Sequence, residues 1–504
     1  MRSSIARRRR LPHYMLVIGL DLGTQSLKAV VCDESLVIRG SHSVLIMTEH
    51  PEPGRAEQDP RAWVAAIGPA IAGALEAAGA TPEDVAALAI TGQLDGCVAV
   101  DSSLAPVHPA LIWQDRRAKA QANRVEPARI FAITGQVADA SHLAPKIAWL
   151  RDHGYDASRF HEPTSYLVAR LCGEHVMDPP LASTTMLADL SSGTWSPRLL
   201  EAYDLVPERL PQIRPTCDVA GTLTADGARL TGLPAGTRVA VGTGDDFSNP
   251  LGAGVVAPGS IICAIGTAEV VGALARSPVL DTIGTEPMVE THVYPQTGDA
   301  TTFFVENPGW LSGGAIRWAT QLLGLPDDRA LDALAASAPP GANGVTFVPA
   351  LAGAMTPVWR PDLRGSLHEL TAAHDRSHVA RAVLEGLAFA CRDVADRLVA
   401  MKLPVADVLL VGGGAKSRVW AQLRADVLGL PHRVAANPDT SPLGAAMIAS
   451  VAAEIHADLA AAAGHVSTVT DEVVPNPEAA APLGAAYRRY QLLVGHMATL
   501  GSRG

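Results

Sequence analysis

The stretch "MLVIGLDLGTQSLKAVVCD", Met15 to Asp33, holds the choice on which the fold turns. An apolar run, Leu16 to Leu20, meets Asp21, and Gly23, Thr24, Gln25 and Ser26 follow as a short polar segment. Lys28 then opens a second apolar run, Ala29 to Cys32. Two such runs around a small polar turn read as a β-hairpin. The same turn also reads as an anion cradle, because backbone N–H groups in a tight turn of small residues converge on negative charge. Thr24 and Ser26 add hydroxyl donors and Lys28 a cation. Asp21 would repel phosphate directly, but it can hold Mg²⁺, whose charge reverses the local electrostatics. Alone, the stretch favours the plain hairpin.

An echo lies about 240 residues on, in "CAIGTAEVVGAL", Cys263 to Leu274. It repeats the design: apolar strand, Gly-Thr in the turn, apolar strand. The spacing is that of successive domains, and the echo suggests two related domains, each offering a turn to one ligand. Elsewhere strand and helix patterns alternate, as in an α/β protein. Pro60–Ala80 reads as an Ala-rich helix, Val85–Gln93 as a buried strand, and Arg238–Asp246 as a strand running into glycine and acids. "DVLLVGGGAKSRVWAQLRADVLG" reads as strand, glycine turn and helix. With 504 residues the chain is too long for one core. "GAGVVAPGS", Gly252 to Ser260, marks a boundary. The expected division is a basic disordered tail (1–14, or translation beginning at Met15), domains at 15–254 and 255–460, and a C-terminal loop and helix at 461–504. "AAEIHADLAAAAGH" reads as an Ala-rich helix, and the last helix is expected over Pro482–Leu500.

Composition removes several classes. The net charge of -11 disfavours a polyanion-binding surface, and 4% aromatic residues argue against base stacking. No apolar stretch approaches the ~20 residues that cross a bilayer. The six cysteines contain no CxxC and read as reduced, buried thiols of a cytoplasmic protein. The 16 histidines form no HExxH and no Cys/His metal cluster, and no GxSxG elbow occurs.

Three further segments carry chemistry. "VGTGDDFSNPLGAG" sets two acids, Asp245 and Asp246, at a strand end. A carboxylate there can take a proton from an alcohol attacking a phosphoryl group, or simply be solvated in a turn. "VGGGAKSRVW" brings glycines to a helix start, where a ligand can approach backbone N–H groups, yet it is neither GxGxxG nor a P-loop. "NPGWLSGGAIRWATQLLG" places Gly313 and Gly314 at another helix start, a flat surface suited to adenine. Trp63, Trp149, Trp195 and Trp420 read as packing residues, Lys146 as a helix anchor, and Arg116 and Arg117 as salt-bridge partners.

In order along the chain these markers resemble the FGGY carbohydrate kinases, xylulokinase-like branch, within the superfamily of sugar kinases, actin and heat-shock ATPases. The resemblance runs from Val17 to Ala449 and includes "TGQLDG", "PALIWQDRRA", "APKIAWL", "FVPALAGAMTPVWRPDLRG", "LEGLAFACRD" and "SPLGAAMIA". It implies two actin-like ATPase (ribonuclease H-like) domains with a ligand cleft between them, and ATP-dependent phosphorylation of a sugar hydroxyl. By position it implies Asp245 as catalytic base, and Asp21 and Asp245 as the Mg²⁺ side. Gly23, Thr24, Gln25, Ser26 and Lys28 match the first phosphate loop, and Gly266 and Thr267 the second. Gly313, Gly314 and Arg317 match the nucleotide-side helix start, and Gly413, Gly414, Ala415 and Arg418 the adenosine motif. Gln93, Asp95, Gly96, Trp113 and Asp115 match the sugar-side segments.

Three departures stand out. Asp246 follows the base where the family often has Asn, and its charge is expected to raise the pKa of Asp245 if the carboxylates are close. Leu94-Asp95-Gly96 replaces Met-His-Gly, which changes the donors and acceptors offered to a sugar. "MDPPLASTTMLADL" varies from the usual Thr-Asp start. D-xylulose is the leading substrate, with ribulose, fuculose, erythritol or glycerol as alternatives, and a catalytically silent sugar or nucleotide sensor as the other class. Small-molecule sugar and ATP are the expected partners, without nucleic acid or membrane, and a homodimer stays open.

Overall fold

The opening stretch folds as a hairpin. In the computed structural model, which describes residues 15–296, 301–357, 359–360, 362–466 and 469–501, strands β1 (Leu16–Leu22) and β2 (Ser26–Cys32) pair antiparallel, with Asp21 opposite Lys28. The expected tail, 1–14, lies outside the described residues. β1 is buried along nearly its whole length, as its unbroken apolar run requires when both faces of a sheet are covered. Joined by β3 (Ile38–Leu45), β4 (Val85–Gly92), β5 (Val219–Thr222), β6 (Arg238–Ala240) and β7 (Thr243–Gly244), the hairpin forms a seven-stranded mixed sheet in the order β5-β6-β4-β1-β2-β3, with β7 also on β4.

The echo builds the second sheet the same way. β8 (Gly259–Ile265) and β9 (Ala268–Ala275) form a hairpin. β10 (Glu290–Tyr294), β11 (Thr302–Leu311), β12 (Val405–Val411), β13 (His432–Ala435) and β14 (Val469–Val473) complete the order β10-β11-β9-β8-β12-β13-β14. β1 and β8 each have an antiparallel hairpin partner on one side and a parallel strand on the other, β4 and β12 respectively. The two Gly-Thr turns thus occupy equivalent places, in an architecture of two mixed α/β sheets.

Helix α1 (Pro60–Ala78) covers β2 and β3, starting from an Asp59 cap and ending at Gly79 in the left-handed region. Helices α2 (Leu143–Asp152), α3 (Pro163–Cys172) and α4 (Asp245–Gly252) follow in the first half. α5 (Gly313–Leu322), α6 (Arg376–Ala400), α7 (Arg418–Leu428), α8 (Thr440–Ala452) and α9 (Pro477–Gly501) belong to the second. α4 and α8 lie between the sheets, in a shared core that includes Val17, Ala89, Phe247, Leu251, Ile262, Leu409, Leu443 and Ile448. Glycine lets α4 and α8 cross, and lets β1 pack on α8, at van der Waals range. A Cβ on Gly19 would lie 1.9 Å from the Pro442 carbonyl oxygen, one on Gly252 1.9 Å from that of Thr440, and one on Gly444 2.3 Å from that of Ser248. The crossing joins the two halves of the chain.

The C-terminal region differs from expectation. Val469–Val473 is a strand on β13 rather than loop, and α9 starts at Pro477, ahead of the expected Pro482. Its buried stripe of Ala479, Leu483, Ala486, Tyr487, Tyr490 and Val494 has helical period from the first turn, and that packing outweighs the one bond Pro482 cannot make. Residues 452–465 are not one helix. α8 ends at Ala452, Glu454 has φ 63°, and Asp458 caps a new short helix, Leu459–Ala463. No helix among the described residues is long and apolar enough to cross a membrane.

Gly252→Ala is expected to destabilise the protein by about 2–3 kcal/mol in urea unfolding, because the helix backbones must part. Gly495→Ala, on an exposed helical turn with open space around it, should instead stabilise by about 1 kcal/mol.

Candidate active site

The first turn closes with Gly23 N–H donating to the Ser26 carbonyl at 2.9 Å. Thr24 is held from two sides: its hydroxyl accepts from the Trp113 indole at 2.9 Å, and its carbonyl from Gln58 Nε2 at 2.7 Å. Asp21 Oδ1 is buried without a partner among the described residues. Burial, then the charge of Asp245, raises the Asp21 carboxyl to about 7. Lys28 does not stand free. Its ammonium pairs with Asp439 at 2.5 Å, one residue before α8, so the first turn is tied to the second half of the chain.

The second turn is built into a larger frame. Ser312 N–H and Gly314 N–H donate to the Thr267 carbonyl at 3.1 and 3.0 Å, and Gly313 N–H to that of Gly266 at 3.2 Å. A Cβ on Gly313 would lie 2.3 Å from the Gly266 oxygen, which explains the glycine. Arg317 donates to the Thr267 hydroxyl at 3.1 Å. Beneath them Glu269 accepts from Arg424 at 2.6 Å and from Ser312 Oγ at 2.8 Å, all three fully buried. This ion pair joins the turn (β9), the start of α5 and helix α7. Cys263 and Cys391 lie beside Glu269, but with both oxygens on Arg424 that carboxylate is committed to an ion pair, not a metal.

The glycine turn after β12 fits close under its neighbours. A Cβ on Gly414 would lie 2.2 Å from Ile265 Cγ2, while Gly413 faces open space. Beside them a cleft of about 480 Å³ is lined by Gly412, Ala415, Arg418, Val434, Pro438 and Asp471. Arg418 pairs with Asp471 across its rim.

Beside the first turn Gln93 follows β4, with its N–H on the Leu22 carbonyl at 2.8 Å, its amide nitrogen on Gln58, and its amide oxygen buried without a partner among the described residues. Asp95 has φ 58° and accepts from His142 Nδ1 at 3.0 Å. His142, the residue preceding α2, thus sets an imidazole against the Asp95 carboxylate. Burial disfavours charge on His142, but Asp95, Glu290 and Asp139 override it and raise the ring to about 9. Lys146, expected only to anchor its helix, is fully buried and donates to the carbonyls of Asp95 and, at 2.8 Å, Ile112. Burial lowers its ammonium to about 8. Gly96 N–H donates to Glu162 at 2.9 Å. Asp115 is fully buried and engaged by Arg117 and, at 2.8 Å, by Ala56 N–H. Arg116 pairs with Asp139, so both arginines are salt-bridge partners.

Asp245 and Asp246 open α4. Burial raises Asp245 to about 6, with Asp95 adding to it. Asp246 is shifted as well: burial and the charge of Asp245 raise its carboxyl well above the usual range, so the two neighbouring acids titrate as a pair. The second half adds Glu290, His292 and Glu306. His292 Nε2 lies 3.4 Å from Glu306 and 3.7 Å from Glu290, and Glu290 accepts from Val137 N–H of the first half at 2.6 Å. Sequence reading missed Gln58, His142, Glu162, Glu290, His292 and Glu306. They come from several segments that match no motif, and only the fold assembles them.

Comparison with known proteins agrees with this geometry. The model of the FGGY family of carbohydrate kinases, N-terminal domain, matches residues 16–252, and that of the C-terminal domain residues 261–453. A xylulose kinase of Escherichia coli (strain K12) is 31% identical over 87% of this chain and 90% of its own. A glycerol kinase of Myxococcus xanthus (strain DK1622) is 33% identical over 88% and 92%. The crystal structure of a xylulose kinase from Rhodospirillum rubrum superposes with a TM-score of 0.85 at 28% identity, covering 97% of this chain and all of its own (100%).

The His142–Asp95 pair makes stability depend on pH. A ring raised from 6.5 to about 9 contributes stability that is complete below 6.5 and lost as pH rises through about 9. The loss is on the order of 3 kcal/mol. Urea titrations at pH 6.5 and 9.5 should show it in the native chain, and His142→Gln should flatten the difference.

Proposed function

The chain belongs to the FGGY family of carbohydrate kinases, and we propose that its buried acid site between the two Gly-Thr turns transfers a phosphoryl group from ATP to a hydroxyl of a ketose or polyol. ATP-dependent phosphorylation of a sugar or polyol is the family's reaction. The observation that supports this particular site is the electrostatic proximity of Asp21 and Asp245, one at the end of β1 and one at the start of α4.

In this reading residues 15–254 hold the acceptor and 255–460 most of the nucleotide. The adenosine end takes the cleft beside Gly413, Gly414, Ala415 and Arg418, against Gly313, Gly314 and Arg317. The phosphates lie between Gly266-Thr267 and the turn Gly23 to Ser26. Gln93, Asp95, Gly96, Trp113 and Asp115 form the acceptor side, Asp95 and Asp115 by shaping it through His142 and Arg117. Asp245 orients the attacking hydroxyl and takes its proton. The orphaned, buried Asp21 oxygen and the Asp245 carboxylate are hard oxygen donors that fit Mg²⁺. When bound, that ion supplies positive charge to the transferring phosphates. Lys28, held by Asp439, tunes the field from one side. D-Xylulose leads the acceptors, from the identity with xylulose kinases, and glycerol follows from the glycerol kinases at similar identity.

Asp245→Asn should lose about 10³-fold or more in kcat, with ATP binding within about twofold of the native protein. Near-normal turnover would remove Asp245 from the mechanism. In the native enzyme kcat/KM should rise with pH through about 6 as Asp245 ionises. ATP consumption with D-xylulose, D-ribulose, L-fuculose, erythritol and glycerol identifies the acceptor. ATP binding without turnover on any of them would favour a sensor.

A further inference from the structure

Gln58 lies outside every segment that carries the phosphate or acceptor roles above, and it is buried with 1% exposure. Its amide makes four hydrogen bonds. Nε2 donates to the Thr24 carbonyl at 2.7 Å and to the Thr48 hydroxyl at 2.8 Å. Oε1 accepts from the Trp63 indole at 3.0 Å and from Gln93 Nε2 at 2.8 Å.

The orientation of this amide is dictated by chemistry. An indole N–H can only donate and a backbone carbonyl can only accept. Gln58 must therefore turn its oxygen to Trp63 and its nitrogen to Thr24. Gln93, which faces the same oxygen, must meet it with its NH₂ group. The remaining atom, Gln93 Oε1, is buried and has no partner among the described residues. A buried acceptor of that kind is unmatched until a donor arrives. Gln93 is also fixed along the chain, since its backbone N–H bonds Leu22 at the end of the strand that carries Asp21.

We infer that Gln58 is a positioning residue for the transfer. It holds Gln93 with its amide oxygen toward the acceptor, and with the other end of the same amide it holds Thr24 in the first phosphate turn. At Gln93 the substrate then presents a hydroxyl, not its carbonyl oxygen. One side chain thereby links the acceptor subsite to the phosphate subsite. The inference rests on the kinase reading of the site.

The test uses full-length native protein, Gln58→Met, Gln58→Glu and Gln93→Met, with the best acceptor from the five-compound panel and its monodeoxy analogues. For Gln58→Met the KM of the acceptor should rise about tenfold, and the ATP hydrolysed per acceptor phosphorylated should increase. One monodeoxy analogue should have a KM about tenfold above the parent in native protein, and that penalty should vanish in Gln93→Met and shrink in Gln58→Met. Gln58→Glu keeps both acceptor bonds and removes the donors to Thr24 and Thr48. It should retain the penalty while kcat falls, and it decides the matter if Gln58→Met does not fold. An unchanged acceptor KM in Gln58→Met with kcat and melting temperature reduced together would mean a purely structural residue and overturn the inference. So would a penalty that persists in Gln93→Met, or one lost in Gln58→Glu. Native protein that phosphorylates none of the five would remove the kinase reading itself, and the inference with it.

Discussion

The crossing of α4 and α8 is the contact on which the rest of the molecule depends. Gly252 and Gly444 let the two helix backbones meet, and Gly19 lets β1 meet α8, where a single methyl group would collide with a carbonyl oxygen. Close approach brings the N-terminal ends of both helices to one place. The α4 start carries Asp245 and Asp246, and the α8 start brings Asp439 to Lys28 and Ser441 to the Asp21 carboxyl. A helix start also favours negative charge, so the position suits an ionised base. Packing in the shared core therefore sets the chemistry above it.

That chemistry begins with an excess of buried acids. Asp21, Asp95, Asp245, Asp246, Glu290 and Glu306 cannot all be ionised in one water-poor space. The structure resolves the conflict by sorting them. Asp95 stays ionised beside His142, Asp245 is poised near neutrality, and burial pushes Asp246 and Glu306 well above the usual carboxylate range. The result is three carboxyls that titrate near neutral pH, Asp245 at about 6 and Asp21 and Glu290 at about 7, beside an Asp95 held ionised by His142.

How much of this was legible in the sequence follows from the range of each interaction. The hairpin, its echo and the glycine turns are local patterns, and they were read with the right elements around them; the acid pair was read as a strand end, although it opens helix α4. The place of Asp95 was not legible, because its partner is 47 residues away on another element. Gln58 gave no signal, since four bonds from four segments converge on a residue that looks ordinary in its own. The upward shift of Asp246 depends on burial, which a turn-like sequence conceals. The early start of α9 was written in its apolar period, but Pro482 masked it.

The two ion pairs that frame the nucleotide side differ in one respect. Glu269 and Arg424 have no exposure to solvent, whereas Lys28 and Asp439 are 27% and 29% exposed. Dissolved ions screen the second pair and barely reach the first. In concentrated salt the floor under the second turn keeps its shape while the strap from the first turn to α8 slackens. Ionic strength thus acts on the strap that ties the first turn to α8, and leaves the buried floor of the second turn alone.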